Sequence, residues 1–402
     1  MKRLQRFTLL FFFFSINFEV WDPLNTNGLF SISKLTGYIY FLMMVPMLIK
    51  NSTSKRSLHF LNPIILFFGL LCVVSIVNIS PASYGFFDFS IFQNIVLFWI
   101  LLNHVEYDNQ VLEKGMLSFA LGSVVLAILY YAGIGIEYTN DRLTLFNDNQ
   151  NNIGMRMSIS VIVLLMIVLQ NIFKFGKLRY LLLTPIPVML TLMAQTGSRV
   201  AFISFVSAFI AGVILYNTKK LEVKFFVLVI GALLLIVIWR FIMQSELLST
   251  RIMLTITEMD ISERDVIWKK LLPLTKSNPV FGVGRTGYEV FSQRVFGQLT
   301  SPHNVIIEVL CLTGLTGLFL YFLFLYRVFN QSYKSYRSEK KLLPLLLILP
   351  ILGMMLSGQL LFVKIGWVIF AYASGNSVHN EDCIINGNIN SRFHKDENTL
   401  HN

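Results

Sequence analysis

The sequence predicts an all-α, polytopic integral membrane protein, and three observations predict it. Of 402 residues, 55% are hydrophobic and only 14% are charged, whereas a soluble domain carries about a quarter charged residues. Mean hydropathy is +0.64. The apolar residues come in long blocks that neither alternate nor carry barrel turn signals, so helices rather than strands must cross the bilayer. This balance excludes a cytosolic enzyme, a disordered chain and a nucleic-acid-binding domain. The net charge of +11 is what cytoplasmic Lys and Arg that fix topology would give.

A crossing helix needs about 20 apolar residues, and about eleven or twelve windows qualify. In chain order they are 4–20, 29–49, 58–79, 87–103, 112–134, 153–173, 180–196, 199–216, 222–243, 304–326, 342–360 and the short 361–373. Lys2 and Arg3 followed by Phe7 to Phe14 imitate a signal peptide. Glu19, Trp21 and Asp22 stand where a small-residue cleavage site would be needed, so an uncleaved first span is expected.

Basic clusters set the sides. Lys2, Arg3 and Arg6 precede the first span; Lys50, Lys55 and Arg56 follow the second; Lys174, Lys177 and Arg179 follow the sixth. Lys219, Lys220 and Lys224 follow the eighth, and Arg327, Lys334, Arg337, Lys340 and Lys341 follow the tenth. Counting spans puts all of them on one side, the expected cytoplasm; the 103–111 segment, with His104 and Glu106, is the weak member. The expected organisation is 1–243 as membrane helices with an outward 135–152 loop, 244–302 as a large periplasmic loop, 303–373 as C-terminal membrane helices, and 374–402 as a polar, disordered tail.

Loops longer than about 12–15 residues are usually functional or disordered. The 244–302 loop carries Trp268, Phe281, Tyr288, Phe291 and Phe296, so it can bury something. A helical stretch is expected around Glu263 to Leu274, then a break at Asn278-Pro279 and a turn at Phe281-Gly282-Val283-Gly284. Cys72 and Cys311 lie in apolar runs and read as small core residues; Cys383 lies in the tail.

The outward segments hold Arg142, Arg199, Arg264 and Arg285, against the positive-inside bias. Four arginines from separate segments would make an anion site, because guanidinium recognises phosphate in a planar, bidentate way. Arg199, at a helix start, also gains the free N–H groups there. His303 is the candidate base on this face, able to take the proton of a sugar hydroxyl attacking an activated anomeric carbon. A leaving diphosphate needs charge neutralisation rather than an acid. Asn149 and Asn151 could bond a sugar. Glu308 lies at i+4 from Asn304 in the tenth span, and an acid there is a functional hint. The loop acids show no metal-ligand spacing, and no cofactor is expected.

Each residue has a bland counterpart. Arg199 could snorkel at the interface. Arg264 with Asp265 could belong to a solvated helix, Arg285 could support a turn, His303 could cap a helix, and Asn149 to Asn151 could be an ordinary turn. Gly314 and Gly317 read as close helix packing.

The motifs resemble those of the O-antigen ligase and O-antigen polymerase family of bacterial envelope membrane proteins. Thr196-Gly197-Ser198-Arg199 is similar to its Gly-Ser-Arg segment. Arg264, Trp268, Asn278-Pro279 and Gly282-Val283-Gly284 are similar to its loop pattern. Pro302-His303-Asn304 with Glu308, Gly314 and Gly317 is similar to its His-Asn, Glu, Gly-x-x-Gly block. Asn149-Gln150-Asn151 with Gly154 resembles an Asn-Pro-Asn stretch, departing at Gln150, and Ala201 stands where a Gly often follows. The resemblance implies a GT-C-like, metal-independent glycosyltransferase of the bacterial inner membrane, with its site facing the periplasm. Arg199 and Arg264 would hold the diphosphate of an undecaprenyl-diphosphate-linked oligosaccharide, and His303 would orient or deprotonate the acceptor. Arg142 and Arg285 join them on the charge argument. Implied partners are the lipid-linked donor and acceptor and membrane lipids, with a chain-length regulator protein as a candidate.

Polymerase and ligase differ in acceptor: another lipid-linked repeat unit, or lipid A-core. The Glu308 block and the Arg264/Trp268 phrasing favour the polymerase. A flippase or other transporter is the rival of another class; it expects charges buried mid-membrane and internal repeats, and here Lys364 and Glu308 are the few candidates. A purely structural or regulatory membrane protein would leave the outward arginines unexplained.

Overall fold

The computed structural model describes residues 1–26, 30–50, 53–80, 85–139, 142–216, 264–358 and 360–375, with isolated positions between 217 and 263. The expected ninth span, the Lys219–Lys224 cluster, Glu263 and the tail beyond 375 lie outside the described residues. The described chain is helical except for one short hairpin. Seven of its helical segments are long and apolar enough to cross a membrane, and shorter apolar helices run over Arg199–Leu215 and Leu343–Ser357. The protein is an all-α polytopic membrane protein.

The first helices are α1 (Lys2–Ser15), α2 (Ile32–Lys50), α3 (Lys55–Val77), α4 (Phe89–Tyr107) and α5 (Val111–Tyr131). Strands β1 (Ile136–Thr139) and β2 (Arg142–Leu145) form an antiparallel hairpin, Ile136 opposite Leu145. Then come α6 (Gln150–Gln170), α7 (Ile186–Gln195), α8 (Arg199–Leu215), α9 (Arg264–Ser277) and α10 (Gly284–Phe296). The chain closes with α11 (Val305–Glu339), α12 (Leu343–Leu346), α13 (Ile348–Ser357) and α14 (Lys364–Gly375). The outer-loop helix expected near 263–274 is α9; α10 was not expected. Its residues include Glu289 and Arg294, and one face packs against α3 and α11.

Short polar residues start the helices. Asp88 Oδ1 accepts from Ser90 N and Ile91 N at 3.1 and 3.2 Å, and Asn304 Oδ1 accepts from Ile306 N and Ile307 N at 3.0 and 3.3 Å. Such caps satisfy amides that a helix start leaves without intrahelical partners. Helix α6 is the most buried span and packs against α5, α7 and α8, while α3 lies along α11 and α14 along α4. Phe98, Phe324, Trp367 and Phe370 join α4, α11 and α14 through edge-to-face contacts such as Phe324–Phe370, 5.1 Å between centroids.

The chain's alternating direction gathers two sets of ends. At one, the start of α1 meets the α4–α5 turn through Arg6 and Asp108 at 2.6 Å, Ser57 Oγ donates to Glu106 at 3.0 Å, and Lys341 lies 3.9 Å from Glu113. The basic clusters near Arg6, Lys55 and Lys341 therefore share an end. The other end carries the hairpin, α9 and α10.

The two glycines read as helix packing act differently at Gly314. Its φ of 60° and ψ of −159° break α11, a conformation essentially restricted to glycine. Leu315 N donates to Pro279 O at 2.8 Å, Thr316 N to Val280 O at 3.1 Å, and Val283 N to Cys311 O at 2.9 Å. The loop thus replaces the Leu315-to-Cys311 bond that an unbroken helix would make. A Cβ on Gly282 would meet Cys311 O and Thr313 N at 2.6 Å, so two glycines let two backbones touch.

Candidate active site

Three groups of side chains form at the hairpin end. The first is built on the α7–α8 junction. Ser198 caps α8, its Oγ accepting from Ala201 N at 3.4 Å, and Arg199 is the first helical residue. Arg142 opens β2 and reaches across: its Nε donates to Thr196 O at 3.0 Å and an Nη donates to Asn151 Oδ1 at 3.0 Å. Asn149 caps α6, accepting from Asn151 N at 2.8 Å. Arg142, Asn149 and Asn151 thus hold the turn that presents half-buried Arg199. A cation on the positive end of a helix makes a region that favours an anion.

The second group lies where α9 meets the start of α11. Trp268 Nε1 donates to Pro302 O at 2.8 Å, which clamps α9 to the residue before His303. His303 has a φ of 50°, and its N donates to Ser301 Oγ at 3.2 Å. From below, Tyr288 Oη donates to Thr300 O at 2.6 Å, and Ser292 Oγ accepts from Thr300 N at 2.8 Å. Burial pushes the His303 imidazole below its ordinary pKa, and the Arg264 guanidinium adds to the shift. The ring is therefore neutral near pH 7, the form that can accept a proton.

The third group takes Arg285 and Glu308. Arg285 Nε donates to Glu289 Oε1 at 2.7 Å, an Nη lies 3.6 Å from Asp88 Oδ2, and its N donates to Ser75 Oγ at 2.7 Å. Glu308 is buried in the field of Arg285 and Asp88. Arg285 was expected to help hold an anion, but here its charge is offset by carboxylates and it ties α10 to α3 and α4. Asn304 spends both its contacts on capping α11.

A fourth assembly escaped the sequence reading. Arg156, 1% exposed, bonds Asp148 and donates to Glu19 Oε2 at 3.3 Å and Asn17 O at 3.3 Å. Lys364 Nζ donates to Glu19 Oε1 at 2.8 Å and to Ser33 Oγ at 3.1 Å. Asp148 Oδ1 accepts from Asn149 N at 2.7 Å, so this network fixes the turn that carries Asn149 and Asn151. The available signal was one arginine inside an otherwise apolar window, which asks for a partner.

Among the described residues, no three His, Cys, Asp or Glu side chains gather where a metal could sit. Residues 186–322 match the model of a family described as O-antigen ligase. That stretch belongs to the O-antigen polymerase and ligase family. The matched O-antigen ligase region runs from α7 into α11 and includes Arg199, Arg264, Trp268, His303 and Glu308; Arg142, Asn149 and Asn151 precede it. The O-antigen polymerase and ligase family implies a glycosyltransferase-like activity on lipid-linked glycans in a membrane. The comparison with curated proteins gave no match.

Proposed function

We propose that the protein is a polymerase of the bacterial inner membrane, joining oligosaccharide repeat units carried on undecaprenyl diphosphate at the periplasmic face. The observation that carries this reading is the neutral, half-buried His303 beside Arg264, clamped by Trp268 at the start of α11. A hydroxyl of the acceptor's terminal sugar gives its proton to His303 and attacks the anomeric carbon of the donor. The new C–O bond forms as the anomeric carbon–phosphate oxygen bond breaks. The electron pair leaves with the polyprenyl diphosphate, whose charge Arg199 and Arg264 neutralise. Arg142, Asn149 and Asn151 hold the Arg199 turn. Arg285 ties α10 to α3 and α4, Glu308 and Asn304 stand at the start of α11 as acceptor-side candidates, and a chain-length regulator would act as a separate protein.

The test is product length. Arg199→Ala and His303→Ala should each lower polymerisation by roughly 10²–10³-fold, as loss of a charge-stabilising group or a base does, with expression unchanged. Normal long-chain glycan in both variants refutes the reading. The ligase is the second reading, favoured by the description of the matched family. Purified protein given a lipid-linked repeat acceptor should extend it; transfer to lipid A-core alone would establish the ligase.

A further inference from the structure

A polymerase of this kind must hold two lipids, and the Arg199 and Arg264 groups account for one diphosphate. We propose that the groove between α2 and α4 seats the prenyl chain of the second lipid, the acceptor, with Lys34 and Lys364 at its diphosphate; this rests on the polymerase reading. The groove has a volume of about 250 Å³. Tyr38 and Phe41 of α2 line one wall and Phe92, Leu97 and Ile100 of α4 the other. Tyr38, Phe41 and Phe92 are exposed at its mouth, so it opens sideways toward lipid. Stacked Phe12 and Tyr40 close the floor, 6.0 Å between centroids. Gly37 sits above that floor, and a Cβ there would come within 3.1 Å of the Phe12 ring.

Both ammonium groups lie at one end of this apolar trough, at the starts of α2 and α14. A hydrocarbon slot topped by cations fits a phosphate-headed lipid. Glu19 and Asp22 stand nearby, and Lys364 shares Glu19 with Arg156. Lys364 can therefore turn to a phosphate while Glu19 keeps its bond to Arg156. The same contacts run on from Lys364 through Glu19, Arg156, Asp148, Asn149 and Asn151 to Arg142 and Thr196. This chain of bonds joins the groove head to the turn that presents Arg199. A slot between two helices accommodates one chain, which suits a prenyl lipid and not the several acyl chains of lipid A.

The experiment is photo-crosslinking of the full chain in phosphatidylethanolamine–phosphatidylglycerol vesicles, using a polyprenyl diphosphate with a diazirine near the head of its chain. Label should appear on α2 and α4 peptides, including in an Arg199→Ala background. Lys34→Gln with Lys364→Gln should weaken it roughly tenfold, the loss of about one charge-assisted contact. Leu97→Trp, an apolar change within the groove, should block it without removing any polar contact. Absence of α2 and α4 label, equal competition by phosphatidylglycerol (an annular lipid only), or undiminished label in both sets of variants overturns the proposal. The transferase reading stands or falls separately, on glycan length in Arg199→Ala.

Discussion

His303 can serve as a base only while its ring is neutral. Burial, then Arg264, lower its pKa from the ordinary value of 6.5, so activity should be level through neutral pH and fall as pH drops through that lowered pKa. Removing the cation with Arg264→Gln should move this acid limb to higher pH, as well as weakening donor binding. A kcat/KM profile against pH checks it; a limb that stays in place would mean that another group titrates. Arg156 makes a second prediction at this scale. Arg156→Met leaves Asp148 and Glu19 without their shared cation inside the bundle, at a cost of about 3–5 kcal/mol. Arg156→Met combined with Asp148→Asn should recover part of that, read as thermal unfolding in detergent. Arg142, Arg199, Arg264 and His303 stand out in the sequence because they fall between apolar spans on the side opposite the basic clusters, where charge asks for an explanation. The role of Arg285 does not, because its counter-charge Asp88 is brought in by the fold from the start of α4. The Arg156 network stayed hidden for the same reason: Glu19 and Lys364 come from opposite ends of the chain.

Elements, more than residues, set the geometry around His303. Trp268→Phe keeps the ring that packs α9 but removes the donor to Pro302 O. It should lower kcat with little change in stability, measurable as slowed polymerisation at saturating donor. Gly314→Ala acts on the α11 break. A side chain there meets the Val280 carbonyl and lies 2.6 Å from Phe281 N, and the backbone conformation alone costs about 1–3 kcal/mol for a residue other than glycine. Gly69→Ala is the control, since an added Cβ on α3 meets nothing within 4 Å; Gly314→Ala should lower the unfolding temperature and Gly69→Ala should not. The spans were legible because hydrocarbon thickness dictates their length and apolar content. Helix α11 outran its expected window, continuing from Arg327 to Glu339, because Val328, Ser332 and Ser335 keep one face buried after hydropathy falls. Helix α10 was not legible: its apolar side is short, and its order depends on Ser75 and on the segment before His303.

Across the whole molecule, the basic clusters gathered at one end give a topology that can be tested. In a chain whose three cysteines are replaced by Ala, Tyr138→Cys on the hairpin should react with a membrane-impermeant maleimide in intact cells. Asn109→Cys, in the α4–α5 turn, should react only after lysis. Both positions are exposed, so the reverse pattern would turn the candidate site toward the cytosol and end the proposed function. Fold class was legible at this scale because composition alone fixes the solvent. The grouping of distant charges was not, since it depends on which helices become neighbours.

The swapped bonds at the α11 break limit which parts of the outer cap can move. Swinging residues 279–283 outward would break three backbone hydrogen bonds at once, and α11 would have to close its own Leu315-to-Cys311 bond in their place. That part of the cap is stitched into the wall, and it opens only if α11 straightens at Gly314. For the polymerase proposed above, that leaves the side as the way in for long-tailed substrates, between helices within the plane of the bilayer.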